Sequence, residues 1–210
     1  MKPHDIGNRF RQARMRRFMA LAAPLLNRAD PVRILDVGGT LDYWKALPGL
    51  YGRSDVANTI VNLEARRVED GNLTAMYGNA CSLGFPDMTF DIVHSNSVIE
   101  HVGRWREMQA MAGEVRRLAP AYYVQTPNFW FPIEPHYKLP LAQFLPERAR
   151  AFAIGKLIRK PRNLTTLEEV RRTVLLSHRQ LSMLFPEAMI ERERVLGLTK
   201  SLVAVKLATG

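Results

Sequence analysis

The chain's 210 residues suit one α/β domain that buries roughly 70% of its unfolded surface, and they are too few for two full domains. The single cysteine, Cys81, excludes an internal disulfide and a cysteine-built metal site, and no apolar run reaches the roughly 18 residues of a membrane span. A formal net charge of +10 predicts attraction to something anionic: nucleic acid, a membrane surface or a phosphorylated substrate.

In chain order, residues 4–27 are expected to form an amphipathic helix, with Phe18, Leu21, Ala22 and Leu25 at the i, i+3, i+4, i+7 spacing of one apolar face. Arg9, Arg11, Arg14, Arg16 and Arg17 fall mostly elsewhere and leave no apolar core for a signal peptide, so a cytoplasmic location is expected. Val32, Ile34, Leu35 and Val37 then make a short apolar run between Asp30-Pro31 and Gly38-Gly39, the pattern of a buried parallel strand entering a tight turn. A ligand site is expected just past Val37. Glycines there let a ligand approach the backbone, a following helix from about Leu41 points N–H groups at the same place, and Asp36 can accept hydrogen bonds in that crevice. The turn lacks the G-x-G-x-x-G of dinucleotide binders and the G-x-x-x-x-G-K of a P-loop.

The second β-rich run covers residues 59–64. An acidic residue ending the second strand of a doubly wound sheet can take both ribose hydroxyls of a nucleotide bound over the first turn, which makes Glu64 the candidate ribose ligand. The polar stretch 65–72 reads as a connection. A third strand, Leu73 to Tyr77, runs into Gly78-Asn79-Ala80-Cys81, with Cys81 a small apolar wall. A fourth, from Asp91 to His94, ends in Ser95 and Asn96, and a helical turn starts near Glu100-His101-Val102. The helix expected over 104–118 puts Trp105, Met108, Met111 or Ala112, and Val115 on one face, and a fifth strand covers 121–126.

Residues 127–163 follow no regular period. Their aromatic, proline-stiffened start is expected to be a substrate lid, with Phe129, Trp130, Glu134 and Tyr137 as substrate contacts. Farther on, Arg148, Arg150, Lys156, Arg159 and Lys160 alternate with Phe152, Ile154, Leu157 and Ile158, as in an amphipathic lid helix or a segment docking on an anionic membrane. Thr165-Thr-Leu-Glu168 reads as a capping box opening a helix towards Phe185. Two last strands, 189–195 and 201–207, are joined through 196–200.

Val32 to Trp44, read together with Phe90-Asp-Ile-Val and the Glu100-His101-Val102 that follows it, resembles the class I S-adenosylmethionine (SAM)-dependent methyltransferases of the type 11 subgroup. The resemblance implies a Rossmann-like sheet of order 3-2-1-4-5-7-6 whose last strand is antiparallel, with SAM as cofactor. It implies that the turn from Asp36 through Gly38 and Gly39 meets the methionine moiety, although Thr40 and Asp42 stand where the family has glycines. Asn79, beside Ala80, takes the place of an aspartate that meets the adenine amino group, and Ser95 and Asn96 join the crevice at the switch point.

His101, in the subgroup's Glu-His pair, and His136 are the candidate catalytic bases, and no metal is expected. The chain has neither the Asn/Asp-Pro-Pro-aromatic loop of exocyclic amino-group methyltransferases nor a Pro-Cys nucleophile. Both absences favour a small molecule or a lipid- or sugar-linked acceptor, methylated on oxygen in the first instance with nitrogen and carbon left open, and the net charge favours an anionic one. The alternatives are an RNA methyltransferase and a non-catalytic module that keeps the fold.

Overall fold

The computed structural model describes residues 3–26, 29–46, 51–157 and 164–207. Its strands are β1 (Val32–Val37), β2 (Val56–Asn62), β3 (Val68–Asp70), β4 (Leu73–Tyr77), β5 (Ile92–Asn96), β6 (Ala121–Pro127), β7 (Met189–Val195) and β8 (Leu198–Lys206). They form one sheet in the order β3-β4-β2-β1-β5-β6-β8-β7. With the short β3 left out, this is the expected order, and β7 pairs antiparallel with β8. The helices are α1 (Pro3–Ala22), α2 (Leu41–Lys45), α3 (Trp105–Leu118), α4 (Glu147–Leu157), α5 (Leu164–Arg172) and α6 (His178–Leu184). No helix among the described residues is long and apolar enough to cross a membrane.

The chain divides into two compact units, residues 1–96 with 114–123 and 206–210, and residues 97–113 with 124–205. In unit one, β1 pairs in parallel with β2 and with β5, and β2 pairs in parallel with β4. Apolar residues fill both faces of β1, where Val32, Ile34, Leu35 and Val37 are all buried and Arg33 alone reaches solvent. That burial on both sides is why the strand reads as a continuous apolar run rather than an alternation. Helix α1 buries Met15, Phe18 and Ala22, and Phe18 meets Trp44 and Tyr123 edge-on at 6.0 Å each. Arg117 of α3 donates to the carbonyls of Leu83 and Phe85 and to Asp87 and Glu114, which fixes the loop leading to β5.

Unit two is built on the outer half of α3, the end of β6, helices α4 to α6 and most of the final hairpin. Glu147 at the start of α4 receives Arg104 and Arg171, and Arg150 donates to the Val170 carbonyl of α5. Gln143 is buried and donates to the Phe131 carbonyl at 2.5 Å and the Phe129 carbonyl at 3.3 Å, so the aperiodic start of the insertion is pinned to one shape.

Five expectations need correction. The polar stretch 65–72 holds β3, paired antiparallel with β4 from Val68↔Ala75 to Asp70↔Leu73. β2 ends at Asn62, two residues before Glu64, because the Asn62 side chain accepts the Glu64 N–H at 2.8 Å and turns the chain. β5 continues through Ser95 and Asn96. The helix expected to run from 165 to Phe185 is two helices. Between them, Val174 N–H bonds to the Glu100 carbonyl and Leu176 bridges Asn128, so tertiary hydrogen bonds draw this segment out of helix, and a capping box at Ser177 and Gln180 opens the second helix. The last hairpin is also tighter than expected: Leu196 and Gly197 alone make the turn, both at positive φ, and β8 starts at Leu198. The turn at 47–50, Asn27, and Ile158, Arg159 and Lys160 of the basic stretch lie outside the described residues, as do the side chains of Leu157, Thr165 and Thr166.

Candidate active site

In unit one the chain leaves β1 through Gly38, whose φ of 81° is a left-handed conformation that favours glycine. Thr40 then caps α2, its hydroxyl accepting the Tyr43 N–H at 3.2 Å, which gives a local reason for threonine where the family has glycine. Gly39 is glycine for another reason: a Cβ there would stand 1.6 Å from Oδ2 of Asp36. The space freed by that glycine is filled by the protein's own carboxylate. Asp36 is buried; its Oδ1 lies 2.7 Å from Nδ1 of His94, and its Oδ2 accepts the Trp44 indole N–H at 2.5 Å. His94 is stacked between Tyr43 and Tyr123, with Phe18 and Trp44 edge-on.

A cleft of about 170 Å³ opens over this floor, lined by Asp36, Gly38, Gly39, Thr40, Tyr43, His94 and Asn96. Arg14 of α1 is buried and donates to Oδ1 of Asn96, one of the lining residues, at 3.1 Å, so at least one of the N-terminal arginines is packed inside rather than part of a solvated face. The strand ends are locked together: Gly38 N–H donates to Val61, Asn62 Nδ2 to the Gly39 carbonyl, and the buried Ser95 hydroxyl to Val37. Ser95 is therefore a tie between β1 and β5. Glu64 is exposed just beyond β2, and its carboxylate takes no hydrogen bond or ion pair among the described residues. Asn79 is exposed and its Oδ1 accepts the Cys81 N–H at 3.0 Å, which shapes the turn carrying Ala80.

Of the expected cofactor residues, Asp36, Gly38, Gly39 and Asn96 line the cleft, while Glu64, Asn79, Ala80 and Ser95 do not. Sequence reasoning missed His94, Trp44 and Arg14. A buried imidazole inside an apolar strand and an indole four residues past the Asp36–Thr40 turn carry no motif, although two polar-capable residues opposite a buried aspartate are the partners its charge requires. A larger open depression, about 620 Å³, lies at the other end of β1 between Ala29, Asp30, Pro31, Arg33, Ala57 and Asp91. Parallel sheets bind ligands at their carboxyl ends, and Asp91 there accepts the Arg33 backbone N–H, so this end is structural.

Unit two brings the candidate bases together. Glu134 is buried; its Oε1 lies 2.8 Å from Nδ1 of His136 and its Oε2 accepts the Tyr137 N–H at 2.7 Å. Its carboxylate is spent on aiming His136 rather than left open to a substrate. Nε2 of His136 lies 3.1 Å from Nε2 of His101, and Nδ1 of His101 is 3.4 Å from the Thr173 hydroxyl. Loss of hydration around the His101 ring, with the nearby His136 ring, holds its pKa down to about 4 against the opposing pull of Glu134, so His101 is neutral at neutral pH. Phe129, Trp130 and Phe144 form a contact cluster with centroids 5.1 to 5.9 Å apart, in which Trp130 is 66% exposed.

Residues 36–120 match the family described as "Methyltransferase domain", type 11. No curated protein matches the sequence. Among solved structures, a SAM-dependent methyltransferase from Methanosarcina mazei is 17% identical with a TM-score of 0.51, covering 87% of this chain and 95% of that one. A Pyrococcus horikoshii protein is 19% identical at TM-score 0.52, with 93% and 91% covered. A chain from the Haloferax volcanii complex of the Trm112 methyltransferase activator with a methyltransferase is 14% identical at TM-score 0.55, with 99% and 93% covered. These likenesses show a shared fold. Part of the expected cofactor set fits SAM: Asp36, Gly38, Gly39 and Asn96 line the cleft, and the Glu64 carboxylate, outside that lining, is unengaged and suits a ribose diol. Residues 36–120 carry a methyltransferase domain of the type 11 kind, for which SAM is the methyl donor.

Proposed function

We propose that the methyl group is passed to an oxygen of a small-molecule or lipid- or sugar-linked acceptor with anionic character. SAM supplies a methyl already activated on a sulfonium, so the protein's share is to hold the acceptor in line, exclude water and deal with the acceptor's proton. The observation that carries this reading is the aromatic cluster on the insertion. Phe129, Trp130 and Phe144 leave apolar rings open to solvent, as a surface for an apolar or planar acceptor does. Arg148 and Lys156 of α4, beside the exposed Phe152, supply positive charge and apolar surface together, which suits an anionic acceptor or peripheral contact with an anionic membrane. An oxygen acceptor loses a proton on methylation, and His101 and His136 are the groups of unit two proposed to handle it.

The test has two stages. Calorimetric titration with SAM and with S-adenosylhomocysteine is expected to show micromolar binding of both, weakened about tenfold by Glu64→Ala, or about 1.4 kcal/mol. Labelled methyl transfer is then followed into phenols, sugars and lipid-linked sugars, with RNA in parallel. Label in an organic hydroxyl, reduced by Trp130→Ala, supports the proposal; label in RNA alone overturns it. The net charge of +10 favours RNA as the second reading, and that reading predicts binding that weakens steeply with salt.

A further inference from the structure

The meeting of His101 and His136 is closer than two candidate bases need. Their Nε2 atoms lie 3.1 Å apart, and with Glu100 they offer three ligand atoms, one from each residue, all within 4.8 Å of one another. We propose that Glu100, His101 and His136 form a binding site for a divalent transition-metal cation, with Zn²⁺ the best match. The inference deepens the reading of the histidines as the groups that handle the acceptor's proton. It rests on that reading for the cation's use, though not for its binding.

Two imidazoles and a carboxylate are a donor set that zinc takes while keeping a further position open. Nitrogens each about 2.0–2.1 Å from a tetrahedral zinc stand about 3.3 Å from each other, close to the separation found here. Orientation agrees as well. The buried Glu134, anchored through its second oxygen by the Tyr137 N–H, takes the Nδ1–H of His136 and so leaves the Nε2 lone pair of that ring facing His101. This carboxylate–histidine pairing is the outer support that metal-bound imidazoles use. Glu100 is buried, and one of its oxygens is steadied by the Thr126 hydroxyl at 3.0 Å. A divalent charge beside it would offset the burial of two carboxylates in one small region.

Drawing the set from 4.8 Å to tetrahedral spacing takes a movement of roughly 1.5 Å, which a side-chain rotation supplies. Both histidines reach solvent, so the open position is accessible to water or to an acceptor oxygen, whose proton a bound cation would make more acidic. The rival arrangement is a single hydrogen shared between the two Nε2 atoms, with no cation.

The deciding experiment is calorimetric titration of the EDTA-stripped full chain with Zn²⁺, with Co²⁺ absorption as a report on geometry. Expected is one equivalent bound and a tetrahedral Co²⁺ spectrum. His101→Ala and His136→Ala should each weaken binding at least a hundredfold, and Glu134→Gln about 10- to 100-fold. His178→Ala, outside the cluster, should leave it unchanged. SAM titration of the same variants checks that they fold. No Zn²⁺ binding by the wild-type chain, or binding that both histidine variants retain, overturns the site. If zinc binds as expected but the loaded and stripped proteins methylate an acceptor equally, the site stands and its role in proton handling falls.

Discussion

Two carboxylate–histidine pairs, one in each unit, make the same hydrogen bond to different ends. Asp36 and His94 meet at 2.7 Å with both side chains 1% exposed, whereas Glu134 and His136 meet at 2.8 Å with the imidazole 23% exposed. In the first, both partners are inside, so the bond holds architecture: it fixes the floor of the cleft, the glycine turn above it and the indole of α2. In the second, the buried member aims a ring that reaches solvent. Changes at the first pair should therefore cost folding free energy, and changes at the second should cost ligand binding.

The largest effect is expected from Gly39→Ala. A methyl group 1.6 Å from Oδ2 of Asp36 has to drive the carboxylate away from His94 and Trp44, since the other atoms nearby belong to the same carboxylate. Separating a buried charge from its partners costs about 3–5 kcal/mol, to be read by urea unfolding, and SAM affinity should fall with it. Gly84→Ala, where an added methyl meets nothing within 4 Å, is the control and should stay within about 0.5 kcal/mol. If Gly39→Ala is equally mild, the buried pair does not hold the turn and the contrast between the pairs is lost.

Trp44→Phe tests the same floor more gently. It keeps an aromatic ring in a fully buried place but removes the N–H given to Asp36, and a hydrogen bond to a buried carboxylate is worth about 1.5–3 kcal/mol. Unfolding by urea should show that loss. A change below about 0.5 kcal/mol would mean that His94 alone satisfies the carboxylate.

The same contrast explains what was legible in the sequence. β1, β4, α3 and β7 could be placed closely because apolar periodicity and flanking Gly and Pro mark them, and the Asp36–Gly39 turn pointed to residues that line the cleft. The partners of Asp36 could not be read, because His94 is 58 residues away in sequence and is joined to it only by the parallel pairing of β1 with β5. Likewise, His101 and His136 stand 35 positions apart, and the stretch between them includes an aperiodic loop whose shape is set by Gln143 and Asn128 through bonds to distant backbone. The single long helix expected after Thr165 failed for the same kind of reason: local propensity favoured helix, and hydrogen bonds to Glu100 and Asn128 won. Ser177→Ala measures how much the cap at that position contributes. It removes the hydroxyl that accepts the Gln180 N–H while the Ser177 N–H can still donate to the Gln180 side chain, and it should cost about 1 kcal/mol in unfolding experiments, with SAM affinity unchanged.

The smallest expected effect has the opposite sign. Leu196 is 99% exposed, so it contributes almost no burial, yet it holds φ at 49° in a two-residue hairpin turn with Gly197 at 82°. Both central residues at positive φ is the geometry that Asn-Gly suits best, whereas a leucine there crowds its Cβ against the following carbonyl. Leu196→Asn should therefore stabilise the chain by about 0.5–1 kcal/mol, seen as a raised urea midpoint with an unchanged slope. SAM binding in unit one should not move. A loss of stability would mean that the leucine is needed for a contact that its exposure denies, and that the turn residues, unlike the buried pair at Asp36, do not follow from local backbone chemistry.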